Sequence, residues 1–327
     1  MTSAKNQSKQ EINTKGVLKC LENQEHLQYH FQIAKMLKDN RIIKNIIFVQ
    51  ICFFAITTSC FAQTLSKNER PLWELGLFNG IARLPHYRGS DEYKLYALPL
   101  PYLIYRGKVI QSDEYGIRGI FFKTKHLESS LSFWGNPPIG GDNRARKEMP
   151  DLDALFEIGP AIKWFFKDRG SLDYLYLSIA LRGVSSANFD FGVDFAYQGL
   201  HGGLQLIYNN RSLFAQHNLE FDFSVGINFT DKDYNSYFYD VSSKYVLPER
   251  GFYESDGGYA GFSVSVSIKK KITQNLFLGG YSRWDNINGA VFDDSPLVKG
   301  KNNFVIGCAL IWKIAESKRS AGSDESP

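Results

Sequence analysis

Residues 219–229 read Leu-Glu-Phe-Asp-Phe-Ser-Val-Gly-Ile-Asn-Phe, apolar at every odd position and acidic, polar or glycine at every even one. Side chains alternate faces along a strand. Leu219, Phe221, Phe223, Val225, Ile227 and Phe229 therefore share one face, opposite Glu220, Asp222, Ser224, Gly226 and Asn228. Such a strand separates an oily environment from a watery one. The pattern recurs with the same chemistry. Gly261, Ser263, Ser265 and Ser267 alternate with Phe262, Val264, Val266 and Ile268, and Tyr174, Tyr176, Ser178, Ala180 and Arg182 with Leu175, Leu177, Ile179 and Leu181. Glu157, Gly159, Ala161 and Lys163 oppose Phe156, Ile158, Pro160, Ile162 and Trp164, while Phe304, Ile306, Cys308, Leu310 and Trp312 share a face. Period-two segments of about ten residues, separated by turns, are the signature of an antiparallel transmembrane β-barrel.

The slightly negative mean hydropathy is compatible with a membrane location, because only half of each barrel strand is apolar. The 25 Phe and 18 Tyr suit the aromatic girdles that such barrels carry at the membrane boundary. A formal charge of +4 over 327 residues, with no basic stripe interleaved with aromatics, argues against a nucleic-acid partner. Residues 46–62 follow Arg41 and Lys44 and end in Cys60-Phe61-Ala62 before Gln63. A basic region, an apolar run and a small-x-small cleavage site make a secretory signal peptide, and the run is short for a spanning helix of roughly 20 residues. A start at Met36 gives a signal of ordinary length, so 1–35 reads as a mis-assigned extension, 36–62 as the signal, and 63–313 as the barrel. Residues 314–327 read as a polar tail disordered by composition. Cleavage after Ala62 leaves Cys308 alone, with no internal disulfide and the role of a small buried hydrophobe.

Eleven strand-like runs follow, at 72–83, 96–106, 108–123, 126–135, 154–166, 172–183, 200–209, 214–229, 258–270, 274–285 and 302–313. Bacterial barrels have even strand numbers. Splitting 108–123 at Ser112-Asp113-Glu114-Tyr115-Gly116 gives twelve strands; dropping one early run gives ten. Connectors 136–152, 184–199, 230–257 and 286–301 are long and polar, whereas Lys167–Gly170 and Asn209–Ser212 are short turns. Leu98-Pro99-Leu100-Pro101 is unusual for a central strand, since proline donates no ladder hydrogen bond, and predicts a bulge or bend at the rim.

The ionisable residues Glu157, Lys163, Arg182, Glu220, Asp222 and Arg283 fall on the polar faces. They either line a conduit or pair with one another and fill the interior, as side chains do in small barrels. The connector carrying Tyr87, Arg88, Ser90, Asp91, Glu92 and Tyr93 is either a partner-binding loop or a hydrogen-bonded turn that fixes the first hairpin. His126 and Ser130 share a strand face, but no acid nearby completes a triad, and no metal-ligand or cofactor spacing occurs. The reading is non-enzymatic.

Trp73-Glu74-Leu75-Gly76-Leu77, Leu84-Pro85-His86-Tyr87-Arg88-Gly89-Ser90-Asp91-Glu92-Tyr93 and Leu98-Pro99-Leu100-Pro101-Tyr102-Leu103-Ile104-Tyr105-Arg106-Gly107 together resemble the opening of the MipA/OmpV family of Gram-negative outer-membrane proteins. Met149–Asp153 with Glu157–Pro160, and Asp293–Val298, are similar to later family segments in the same order. The resemblance covers roughly residues 72–313, and the Tyr87–Tyr93 block is its most specific part. It implies a signal-bearing barrel in contact with outer-membrane lipid and lipopolysaccharide. It further implies a scaffold joining a murein lytic transglycosylase to a bifunctional penicillin-binding protein. Solute passage and adhesion are the alternatives.

Overall fold

The computed structural model describes residues 70–321 apart from 114–115, 140–142, 168–170, 172, 189–193 and 212–216. The signal segment 36–62 and the leading 1–35 lie outside the described residues. Twelve strands are described: β1 (Trp73–Pro85), β2 (Tyr93–Arg106), β3 (Ile110–Asp113), β4 (Gly116–Lys123), β5 (Leu127–Asn136), β6 (Ala154–Phe165), β7 (Asp173–Asn188), β8 (Asp194–Asn210), β9 (Leu219–Thr230), β10 (Gly258–Lys271), β11 (Leu276–Asn286) and β12 (Asn302–Glu316). Each pairs antiparallel with its sequence neighbours, and β12 returns to β1, closing the barrel. The twelve-strand reading holds because β3 ends at Asp113 and β4 begins at Gly116, within the split segment.

Period-two sequence explains the wall. Phe223, Val225, Ile227 and Phe229 of β9 are exposed on its outer face, as are Phe156, Ile158, Ile162 and Trp164 on β6. These are lipid-facing positions. Twelve residues of β9 at ~3.4 Å each and a ~45° tilt cross roughly 29 Å, about the thickness of a bilayer's hydrocarbon core. No helix among the described residues is long and apolar enough to cross a membrane, so the strands make the crossing.

Three expectations are corrected. The connector expected at 184–199 is largely strand, because β7 runs to Asn188 and β8 starts at Asp194. A register shift at Val184/Ser185 breaks the alternation there and hides the strand. The tail expected from 314 is ordered as far as Ala321: β12 pairs Glu316 with Glu74. Leu72 then donates its N–H to the Arg319 carbonyl, and Ala321 to that of Arg70, at 2.8 and 2.9 Å. Residues 322–327 lie outside the described residues. Cys308, expected to be buried, is exposed, because the apolar face of β12 is the lipid face.

The two rims differ. One carries the connectors 86–92, 137–153, 231–257 and 287–301, with one helix, α1 (Lys232–Tyr239). The other carries the connectors 107–109, 124–126 and 272–275, beside the segments leading into β1 and out of β12.

Candidate functional site

The charged part of the interior is built from residues of β3 to β11 with Arg88 of the first connector. Three ion-paired groups occupy it. Glu157 on β6 receives His201 Nδ1 at 2.9 Å and lies 3.9 Å from Arg182 Nη1, while Arg182 Nε donates to Ser132 Oγ at 2.9 Å. Glu128 on β5, fully buried, stands 3.4 Å from Arg118 and 3.6 Å from Lys163. Arg118 also makes a two-pronged pair with Asp113 at 2.6 and 2.7 Å. Arg283 donates to Asp285 at 2.9 Å, with Arg88 3.8 Å away on the other carboxylate oxygen. Asp222 accepts from Ser267 at 2.9 Å and from Asn209. Buried ions are stable only when their charge is compensated, and these groups pair their charges with one another.

Glu157, Lys163, Arg182, Asp222 and Arg283 thus line one cavity of about 480 Å³. Glu220 does not; it sits at the short-turn rim and pairs with Lys269 at 2.8 Å. Arg118, Glu128 and His201 are central to these clusters, and sequence reasoning passed over them. The alternation of His201, Gly203 and Gln205 against Leu200, Gly202, Leu204 and Leu206 carries the signal that places His201 inside. The His126 ring meets the Phe165 carbonyl at 3.0 Å, and Ser130 points into the cavity.

Both ends of the cavity are narrowed. At the short-turn end Phe165 stacks on Tyr176 with ring centres 4.9 Å apart, and Tyr174 packs on the pair. At the other end the long connectors fold over the barrel mouth as a cap with its own apolar core, including Tyr87, Leu155, Tyr239, Val241, Ile287, Phe292 and Leu297. Phe292 lies flat on Tyr239, ring centres 3.8 Å apart. Asp231 caps α1 by accepting the Tyr234 N–H at 3.0 Å, and Asn235 bridges the Thr230 hydroxyl and the Asp256 carbonyl at 2.7 and 2.6 Å. Arg250 donates to the Ala145, Lys147 and Tyr245 carbonyls at 2.7–2.9 Å, tying two connectors together. Tyr234 reaches down from α1 to the His201 ring, 5.5 Å between centres, so the cap rests on the Glu157 cluster.

The Tyr87–Tyr93 block belongs to this cap. Tyr87 donates to the Leu297 carbonyl at 2.7 Å, and Tyr239 to the Arg88 carbonyl at 2.8 Å. Burial raises both phenols well above their ordinary pKa, which keeps them protonated as donors. Gly89 adopts φ +97°, a left-handed conformation that favours glycine, and its N–H reaches Asn303 Oδ1 at 2.6 Å. Asn303 returns a bond to the Ser90 carbonyl at 2.7 Å. Local bonds His86 N–H to Glu92 O at 3.0 Å and Glu92 N–H to Ser90 Oγ at 3.1 Å close the turn. Its open side shows Asp91 and Glu92 to Arg144, at 3.4 and 2.9 Å. Burial opposes ionisation of Glu92, but hydrogen bonds from the Arg144 backbone and guanidinium outweigh it and hold the carboxyl below its usual range. Tyr93 begins β2, under the Arg83 guanidinium 3.8 Å from its ring centre.

A twelve-strand wall with an apolar outer face, an ion-paired interior and long loops gathered at one rim defines an outer-membrane β-barrel protein. The chain belongs to the MipA family, described as MltA-interacting protein MipA, whose profile matches residues 75–314. No curated protein matches the chain at a significant level. Among solved structures it is similar to the outer-membrane protease OmpT of Escherichia coli, at 11% identity and a TM-score of 0.27, over 77% of this chain and 99% of that one. It is also similar to the COG4313 outer-membrane channel of Pseudomonas putida F1, at 12% identity and a TM-score of 0.30, over 77% and 100%. Scores that low carry neither proteolysis nor conduction over to this chain.

Proposed function

We propose that this barrel is a non-enzymatic, non-conducting docking protein that holds murein-remodelling enzymes at the inner surface of the outer membrane. The observation that carries the first half is the closure of the barrel mouth by an apolar cap above mutually paired charges. An ion crossing such a path would have to displace buried ion pairs that cost several kcal/mol each to break. The family description, MltA-interacting protein, supports a lytic transglycosylase as the partner; a bifunctional penicillin-binding protein is the second enzyme we propose is brought to it.

Docking falls on the short-turn rim, since outer-membrane barrels keep short turns in the periplasm and long loops outside. That rim is basic: Lys108, Lys123, Lys125, Lys167, Lys270 and Lys271 are all exposed there. Lys167 is paired there with Asp173, and Glu220 and Glu316 with Lys269 and Lys313; the excess of positive charge that the rim keeps steers an acidic partner surface. The Tyr87–Tyr93 block lies on the opposite rim and serves the cap. Purified protein in planar bilayers is expected to show no discrete conductance. Immobilised protein is expected to bind purified MltA in a salt-sensitive manner, with about ten-fold weaker binding after Lys125→Glu, Lys270→Glu and Lys271→Glu together. Reproducible ion steps from the intact protein, or MltA binding indifferent to the rim charges, overturn the reading.

A further inference from the structure

The outer wall differs in chemistry around the ring. On β6 to β9 one paired row crosses the outer face at mid-strand as Ile162, Ile179, Leu204 and Ile227, all exposed and all apolar. The mid-strand row on β11, β12, β1 and β2 reads Leu278, Leu310, Asn79 and Pro99. Asn79 points outward with its neighbours in the alternation: Gly80 is buried, while Asn79 and Ile81 are exposed. It is the seventh of thirteen residues in β1. At ~3.4 Å per residue and a ~45° tilt it stands about 15 Å from either end of the strand, in the middle of the hydrocarbon.

Nothing beside this amide can satisfy it. Its neighbours across the strands are Leu310 and Pro99, and those along its own face are Leu77 and Ile81. None offers a side-chain donor or acceptor, so among the described residues the Asn79 amide has no partner. Arg83, the charged residue on the same face of β1, has a way out. Its guanidinium reaches the aromatic girdle, 3.8 Å from the centre of the Tyr93 ring, as long basic side chains do near a membrane surface. Asn79 is too short to follow. A polar group held in hydrocarbon without a hydrogen bond is costly, and the partner that relieves the cost must come from outside the chain.

The chemistry of the group selects that partner. A primary amide carries both donors and an acceptor, so two of them facing each other across a two-fold axis are mutually satisfied. Such an axis also lets one patch serve both copies. An acyl chain offers neither group. The wall beside Asn79 is low enough for a second wall to come close: Gly280, Cys308 and Ala97 share the next row with Ile81. Small side chains let membrane segments approach one another where polar groups join them. Both copies insert in the same direction, so the axis runs along the membrane normal.

We propose that the barrel forms a two-fold dimer within the membrane through the outer face of β11, β12, β1 and β2, with the Asn79 amides of the two copies hydrogen-bonded to each other. The test is the oligomeric state of the full chain in mild detergent, by native mass spectrometry and sedimentation, with heat-modifiable gel mobility confirming that each variant is folded. The wild type is expected to be dimeric. Asn79→Leu is expected to associate at least ten-fold more weakly, and Asn79→Gln to recover part of the association. In a Cys308→Ser background, Asn79→Cys should give an oxidant-induced dimer in intact outer membranes, whereas Ile162→Cys on the far wall should not. A monomeric wild type, association of Asn79→Leu equal to that of the wild type, or crosslinking at Ile162→Cys as efficient as at Asn79→Cys overturns the proposal.

Discussion

Removing the Phe292 ring should open the cap without unfolding the barrel. Phe292 is almost fully buried and lies flat on Tyr239, which also packs edge-on against Tyr87. Phe→Ala at such a site costs roughly 3–5 kcal/mol, the transfer of the ring plus the cavity it leaves, of which ~0.5–1.5 kcal/mol belongs to the ring pair. The cap core meets the wall through Leu155, Val184 and Ala260, but the rings stacked with Phe292 lie in the connectors, so the loss falls mainly on the local equilibrium between closed and open cap. At ~1.4 kcal/mol per factor of ten, the open fraction should rise about 10²- to 10³-fold. Limited proteolysis reads this directly, because in the fast-reclosing regime cleavage follows the open population. Phe292→Ala should speed cleavage within 231–257 and 287–301 by that factor, with heat-modifiable mobility intact. Planar bilayers should then register brief current steps absent from the wild type. Unchanged loop cleavage would refute the assignment of these connectors to one apolar core, and a globally unfolded variant would refute their independence from the wall.

Two further outcomes follow from the charged groups. Glu128→Gln leaves Arg118 and Lys163 without the carboxylate between them and should destabilise the folded barrel by about 3–5 kcal/mol, measured by urea unfolding in detergent; a change below ~1 kcal/mol would show that Asp113 and solvent already neutralise Arg118. The Glu92 carboxyl titrates below its ordinary value, so its contribution to holding the 86–92 turn is fully present above the unfolded pKa of about 4.3 and is lost as the pH falls through the folded value. The effect is small because the pair with Arg144 is largely solvated. Protection of the Ser90 and Glu92 amides against hydrogen exchange, corrected for the intrinsic exchange rate at each pH, should fall on acidification in the wild type and fall less in Glu92→Gln; equal acid response in both would remove Arg144 from the turn.

The wall was legible because lipid on one side and water on the other impose period two on every long strand. The same rule assigns Glu157, Lys163, Arg182, Asp222 and Arg283 to the inner face, and it reaches His201 when applied to β8. It fails where geometry interrupts the period: the shift at Val184/Ser185 conceals the ends of β7 and β8. The cap left no periodic trace. Tyr87, Val241, Ile287, Phe292 and Leu297 are scattered through polar connectors, and their common burial depends on contacts such as Tyr87 to Leu297, 210 positions apart. A local window reads such residues as exposed loop.

The Leu98-Pro99-Leu100-Pro101 segment joins these lessons. Taken alone, its prolines predict a bulge, since a strand paired on both sides has no place for two missing donors. The register of β2 on β1 nevertheless runs through the segment without a shift, which requires that both prolines face a side where no ladder exists. The brevity of β3 supplies that side, and four residues are too few for a period to register. Either feature alone is uninformative. Together they require, among the described residues, a wall that is continuous on the β1 side and open toward β5.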